Sequence, residues 1–170
     1  MKNKILLLLF VSFFSFLSLA SDQNAQVPGT FGVGAILGGP TAITGKTFLD
    51  SKTAVDFGLS FFDNSYTLLY ADYLMHFPGF AHTKGFEQLI GYFGVGGILA
   101  ITNNTNTSNN GFIGTNQGAV GAGVRVPFGV AWNMPKTPVE FFGEIAPGIS
   151  IIPSTSILIE LGIGARYYFR

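Results

Sequence analysis

The last stretch of this chain, Ile157 to Phe169, limits the possible folds more than any other. Taken alternately, it separates into two sets. One holds Ile157, Ile159, Leu161, Ile163, Ala165, Tyr167 and Phe169, all apolar or aromatic. The other holds Leu158, Glu160, Gly162, Gly164, Arg166 and Tyr168, with both charges and both glycines. A period of two is that of a β-strand, whose successive side chains point to opposite faces; a helix would mix the sets. A strand apolar along one face and small or charged along the other meets lipid on one side and a confined polar space on the other.

Composition supports the same reading. The 170 residues suit one domain. They are 48% hydrophobic and 11% charged, against about a quarter charged in typical soluble domains. Yet nothing beyond the first twenty residues approaches the roughly 18 to 20 continuous apolar residues of a spanning helix. The apolar residues are dispersed by alternation, and in lipid only a closed sheet satisfies its backbone groups.

The N-terminus reads as a secretory signal peptide, residues 1–20. It has a basic start (Met1-Lys2-Asn3-Lys4), an apolar run from Ile5 to Leu19, and small residues at Ser18 and Ala20 before the cut. Residues 21–28 form an extension and 29–170 the barrel. Losing Lys2 and Lys4 leaves 9 − 2 = 7 basic residues against 9 acidic ones, a net charge of −2. No basic patch offers itself to nucleic acid. The absence of cysteine rules out disulfides and thiol chemistry.

Turn signals such as Gly38-Gly39-Pro40, Asp50-Ser51-Lys52-Thr53, Asp63-Asn64-Ser65 and Pro153-Ser154-Thr155 separate about eight alternating segments. The one low-complexity stretch, Thr102 to Gly111, is a solvated loop by composition. The fold class is therefore all-β, an eight-stranded antiparallel up-and-down transmembrane barrel with a polar interior filled by side chains. Pro127 and Pro147 fall within strands, where a missing donor predicts a bulge or frayed pairing.

The alternation sends Lys46, Asp56, Asp72, Arg125, Glu140, Glu144, Glu160 and Arg166 inward, 8 of the mature chain's 16 charges. On a soluble sheet these would form the wet face, but the large apolar residues opposite would then need a partner sheet. Buried charges must be paired. Arg125 and Arg166 are expected to meet Glu140, Glu144 and Glu160, and Lys46 to meet Asp56 or Asp72. Trp132, Tyr167 and Phe169 are the expected interfacial aromatics.

Other signals are weak. Gly45-Lys46-Thr47 resembles the end of a phosphate loop, but its first glycine would fall at Pro40. The glycines at 94, 96 and 97 lack βαβ context. His76 and His82, expected at the surface or rim, are too few to hold a metal by themselves. No cofactor is expected.

The mature chain resembles the small eight-stranded barrels of the outer membrane protein A and outer membrane protein X class. Within that class it is similar to a bacterial family first described in spirochaetes. The carriers are Gly38-Gly39-Pro40-Thr41, Asp72-Tyr73-Leu74-Met75-His76, Tyr92-Phe93-Gly94-Val95-Gly96-Gly97, Gly123-Val124-Arg125-Val126-Pro127, Phe142-Gly143-Glu144-Ile145-Ala146-Pro147-Gly148 and Gly164-Ala165-Arg166-Tyr167-Tyr168-Phe169. The resemblance implies insertion by the barrel-assembly machinery, which prefers a terminal aromatic; here Phe169 is followed by Arg170. It brings no catalytic residues.

The resulting expectation is a non-enzymatic barrel in the outer membrane of a double-membraned bacterium, bedded in its lipid. Its role is envelope-structural, or interaction with an extracellular protein or surface ligand through external loops, chiefly 102–117. With both termini periplasmic, the 78–88 loop is periplasmic too. The alternatives are a lipid-modifying enzyme using His76 or His82 with Ser154 or Ser156, and a narrow channel.

Overall fold

The computed structural model describes residues 29–60, 66–78, 89–102 and 120–169. The segments read as signal peptide, N-terminal extension and 103–117 loop lie outside them, as does His82. All the regular structure described is strand: β1 (Phe31–Gly39), β2 (Ala42–Phe48), β3 (Thr53–Ser60), β4 (Tyr66–Pro78), β5 (Leu89–Thr102), β6 (Val120–Arg125), β7 (Phe128–Asn133), β8 (Val139–Ile152) and β9 (Ser156–Phe169).

Every pairing is antiparallel, and the pairings form a ring. Strands β1 to β5 pair in sequence, β5 pairs with both β6 and β7, both of these pair with β8, then β8 with β9 and β9 with β1. β6 and β7 are two halves of one barrel strand. Gly96↔Arg125 and Phe93↔Phe128 share one register across β5, and Arg125↔Gly148 and Phe128↔Ile145 share one across β8. The barrel is eight-stranded.

The two prolines expected to bulge or fray their strands differ. At Pro127 the strand is interrupted, β6 ending at Arg125 and β7 starting at Phe128, as expected, whereas at Pro147 it is not. Pro147 pairs with Ile159 inside an unbroken β8–β9 ladder. Both prolines still accept through their carbonyls, from Gly94 N–H at 2.9 Å and Val126 N–H at 2.8 Å. Each removes one donor without shifting its strand; the register shift falls instead between Ala122 and Gly123.

Closure fixes the stagger. Val33 pairs with Gly45, then the ring runs through Phe57, Ala71, Gly97, Val124 and Ile149 to Ile157. Val33's own β9 partner is Tyr167, ten positions away (157 to 167). That offset over eight strands requires a tilt of about 40° and a backbone radius of about 8 Å, room for side chains and little else.

The polarity is inside out. Ile157 and Ile159 are 82% and 72% exposed, and Val124, Phe128 and Ile163 also face outward. Lys46, Asp56, Arg125, Glu140 and Arg166 are buried together with Tyr70, Tyr92, Phe142 and Tyr168. Inner glycines make the space. Gly32 lies opposite Tyr168, Gly58 opposite Tyr70, Gly129 opposite Tyr92 and Gly164 opposite Phe142. A Cβ at Gly32 would sit 2.8 Å from the Tyr168 ring.

Candidate functional site: the lumen

The inward charges fall into two groups. The first surrounds Arg166, on β9. Its guanidinium meets Asp56 of β3 at 2.5 Å and Glu140 of β8 at 3.0 Å. It also donates to Thr44 Oγ1 at 2.9 Å through Nη2. Lys46 Nζ reaches Glu140 Oε2 at 3.0 Å, and Tyr168 donates to the same oxygen at 3.2 Å. Two cations face two carboxylates, all essentially inaccessible. The Arg166 guanidinium lies 3.8 Å from the Phe142 ring centroid, and the Lys46 ammonium 5.0 Å from that of Phe48. The rings therefore offset part of the lost hydration.

The second group surrounds Arg125, on β6. Its guanidinium pairs with Glu160 of β9 at 2.6 Å, with Asp72 of β4 at 3.1 Å, and with Glu144 of β8. Tyr92 donates to Glu144 at 3.0 Å, and the Tyr70 ring stacks on the guanidinium at 4.4 Å. Here one cation faces three carboxylates. Asp72 Oδ2 is close enough to Arg125 for ion pairing, yet neither Asp72 oxygen accepts a hydrogen bond from a described residue. Arg125 Nε is likewise without an acceptor.

Lys46 corrects the pairing expected from sequence. It stands directly opposite Asp56 in the β2–β3 register, but Asp56 is held by Arg166 and Lys46 crosses the lumen to Glu140. Asp72 goes to Arg125. Sequence reasoning also missed the hydroxyl and ring partners Thr44, Tyr70 and Phe142. Their inward parity marked them, but which strand they would meet depends on the stagger.

His76 is not at the surface. It is buried between the rings of Phe48 and Tyr92 at 5.0 and 5.6 Å, with Nδ1 3.2 Å from the Lys52 carbonyl. This is the barrel end that carries the termini. Ser154 and Ser156 lie at the opposite end, in the β8–β9 connection, so His76 and these hydroxyls do not form a nucleophile–base pair. Among the described residues no three acidic or histidine side chains can hold a metal ion.

Trp132, Tyr167 and Phe169 lie outward at the terminal end. Trp132 stacks on Phe141 at 6.0 Å, and Tyr167 meets Phe169 edge-on at 5.3 Å. Phe31 and Phe77 share that level, whereas the large outward side chains described at the other end are aliphatic, among them Leu37, Ile101, Val120 and Ile151. From Tyr167 to Ile157 the tilted strand rises about 25 Å, the height of an outer-membrane barrel's apolar band.

Residues 22–169 match the family described as "Protein of unknown function (DUF3996)". The chain belongs to this family. Among curated proteins, none matches it. Its structure is similar to the N-terminal β-barrel domain of Pseudomonas aeruginosa OprF, at 16% identity and a TM-score of 0.46, covering 81% of this chain and 95% of that one. It is also similar to Neisserial surface protein A, at 12% identity and a TM-score of 0.40, covering 82% and 93%.

Proposed function

We propose that the chain is a non-enzymatic outer-membrane barrel with a structural or surface-interaction role carried by its external loops. The observation behind this reading is the polarity: apolar side chains form the outer surface while ion pairs fill the centre. In water such an exterior would drive aggregation; in lipid it is the stable arrangement. The filled lumen favours a scaffold over a channel, and the separation of His76 from Ser154 and Ser156 favours it over a hydrolase built on them.

β5 ends and β6 begins at the barrel end opposite the termini, with the polar 103–117 segment between them in sequence. β4 ends and β5 begins at the same end as the termini. With periplasmic termini, the polar Asn/Thr/Ser-rich segment is the one offered to an external protein or surface ligand, and assembly machinery handles the chain on its periplasmic route. Fractionation tests the location. The protein should reside in outer-membrane fractions, migrate differently on gels before and after boiling, and lose its 103–117 segment to protease added to intact cells. Recovery as a soluble periplasmic protein would overturn the reading.

A further inference from the structure

The wall of the barrel is uneven at the end away from the termini. The last β1–β9 pair is Gly39↔Leu161, where β1 turns away through Gly38, whose φ of 144° only glycine adopts readily. β9 continues five residues further, to Ser156, and among the described residues this stretch pairs only with β8 on its other side. The difference in height is about 12 Å. Tyr168 N–H points toward β8, so the alternation aims the N–H and C=O groups of Ile157 and Ile159 into the gap. No described strand lies opposite them. At Gly39, on the lower lip, an added Cβ would meet nothing within 4 Å.

The gap opens beside the acid-rich group. Glu160 is on the inner face of this unpaired stretch, and its side chain is 15% exposed, the most accessible member of that group. Ser156 Oγ, on the same face above it, has no partner among described residues, and neither carboxylate oxygen of buried Asp72 accepts a hydrogen bond. Immediately outside are the most exposed apolar side chains of the barrel: Ile157, Ile159, Leu161, Ile163 and Leu37. A cationic head would complement three carboxylates sharing one guanidinium and satisfy the orphan polar groups. Among the described residues no three acidic or histidine side chains are grouped to hold a bare metal ion.

On the membrane reading above, we infer that the gap between the top of β9 and the β1–β2 turn is a lateral port for one amine-headed amphiphile of the surrounding leaflet. Its tail lies along the outward isoleucines of β9. Its ammonium turns inward to Glu160 and the Arg125 group, and its N–H donors meet carboxylates and the Ile157 and Ile159 carbonyls.

The test uses the full protein purified in a neutral maltoside, titrated with dodecylamine (an ammonium at pH 7) and with dodecanol as the uncharged control. Calorimetry should show one saturable dodecylamine site and none for dodecanol. Glu160→Gln should weaken it by about tenfold or more, as expected for loss of a buried ionic contact. Gly39→Trp, which fills the open lip, should weaken it comparably without touching a charge, and it keeps the test alive if Glu160→Gln misfolds. Equal binding of dodecanol, or affinity unchanged in both variants, overturns the port. An intact boiling-dependent gel shift without saturable binding overturns the port alone; loss of that shift in the wild type overturns the membrane reading and the port together.

Discussion

The two charge groups of the lumen are built from the same residue types and differ in balance. Around Arg166, two cations meet two carboxylates, with Thr44 and Tyr168 completing the hydrogen bonds. Around Arg125, one cation meets three carboxylates among the described residues, and none of these residues gives Asp72 a hydrogen bond. The first group is sealed by aromatic rings at the end with the termini. The second lies beneath a break in the wall. Ion pairing inside a narrow barrel thus does two things: balanced, it fills space and ties four strands together; unbalanced, it leaves demand for a further positive group.

The largest effect should come from removing the centre of the balanced group. Arg166→Met leaves Asp56 and Glu140 buried with Lys46 as the one cation beside them among the described residues, and should cost about 3–5 kcal/mol. Urea titration followed by the boiling-dependent gel shift reads this directly. A loss below about 1 kcal/mol would mean the lower network is no tighter than a surface one.

A matched pair of substitutions sharpens the contrast. Asp56→Asn breaks the 2.5 Å contact with Arg166 and should cost about 2–4 kcal/mol, whereas Asp72→Asn removes one of three competing carboxylates and should stay within about 1 kcal/mol. Equal losses would erase the distinction between the groups.

Packing gives a smaller effect. Gly32→Val pushes a side chain into the Tyr168 ring, which also hydrogen-bonds Glu140, and should cost about 1–3 kcal/mol. Gly39→Ala, facing open space, should be close to neutral in the same assay.

The smallest effect lies outside the wall, in the β2–β3 turn. Asp50 accepts from Lys52 N–H at 2.7 Å, Thr53 N–H at 2.8 Å and Thr53 Oγ1 at 2.6 Å. These bonds, led by that to the Thr53 hydroxyl, hold its carboxyl below the usual carboxylate range. A lowered folded pKa stabilises the turn above the unfolded carboxylate's pKa, and the benefit fades as pH falls through the folded value. An NMR titration should show Asp50 ionising at lower pH than a free aspartate, and Thr53→Val should move it back up.

Much of this was legible in the sequence because strand parity is local. The alternation in 157–169, and in segments such as Val55-Asp56-Phe57-Gly58-Leu59-Ser60, assigns each side chain to a face without knowledge of any partner. Which charge meets which is a global property. Lys46 and Asp56 are register neighbours, yet Lys46 pairs with Glu140, 94 residues away in sequence, because the ten-residue stagger brings β8 and β9 side chains across the lumen. The gap above Leu161 was hidden for the same reason: a strand's length is readable, but not the point at which its neighbour stops. His76 looked like a rim residue because nothing local showed that Phe48 and Tyr92 would sandwich it.

Inside-out polarity is the claim on which the rest depends, and the absence of cysteine makes it simple to measure. Single cysteines at Val124, Phe128, Ile159 and Ile163, spin-labelled in lipid bilayers, should relax strongly with oxygen and weakly with a water-soluble nickel complex. Labels at these four sites that respond mainly to the nickel complex, or that are shielded from both reagents, would contradict the account.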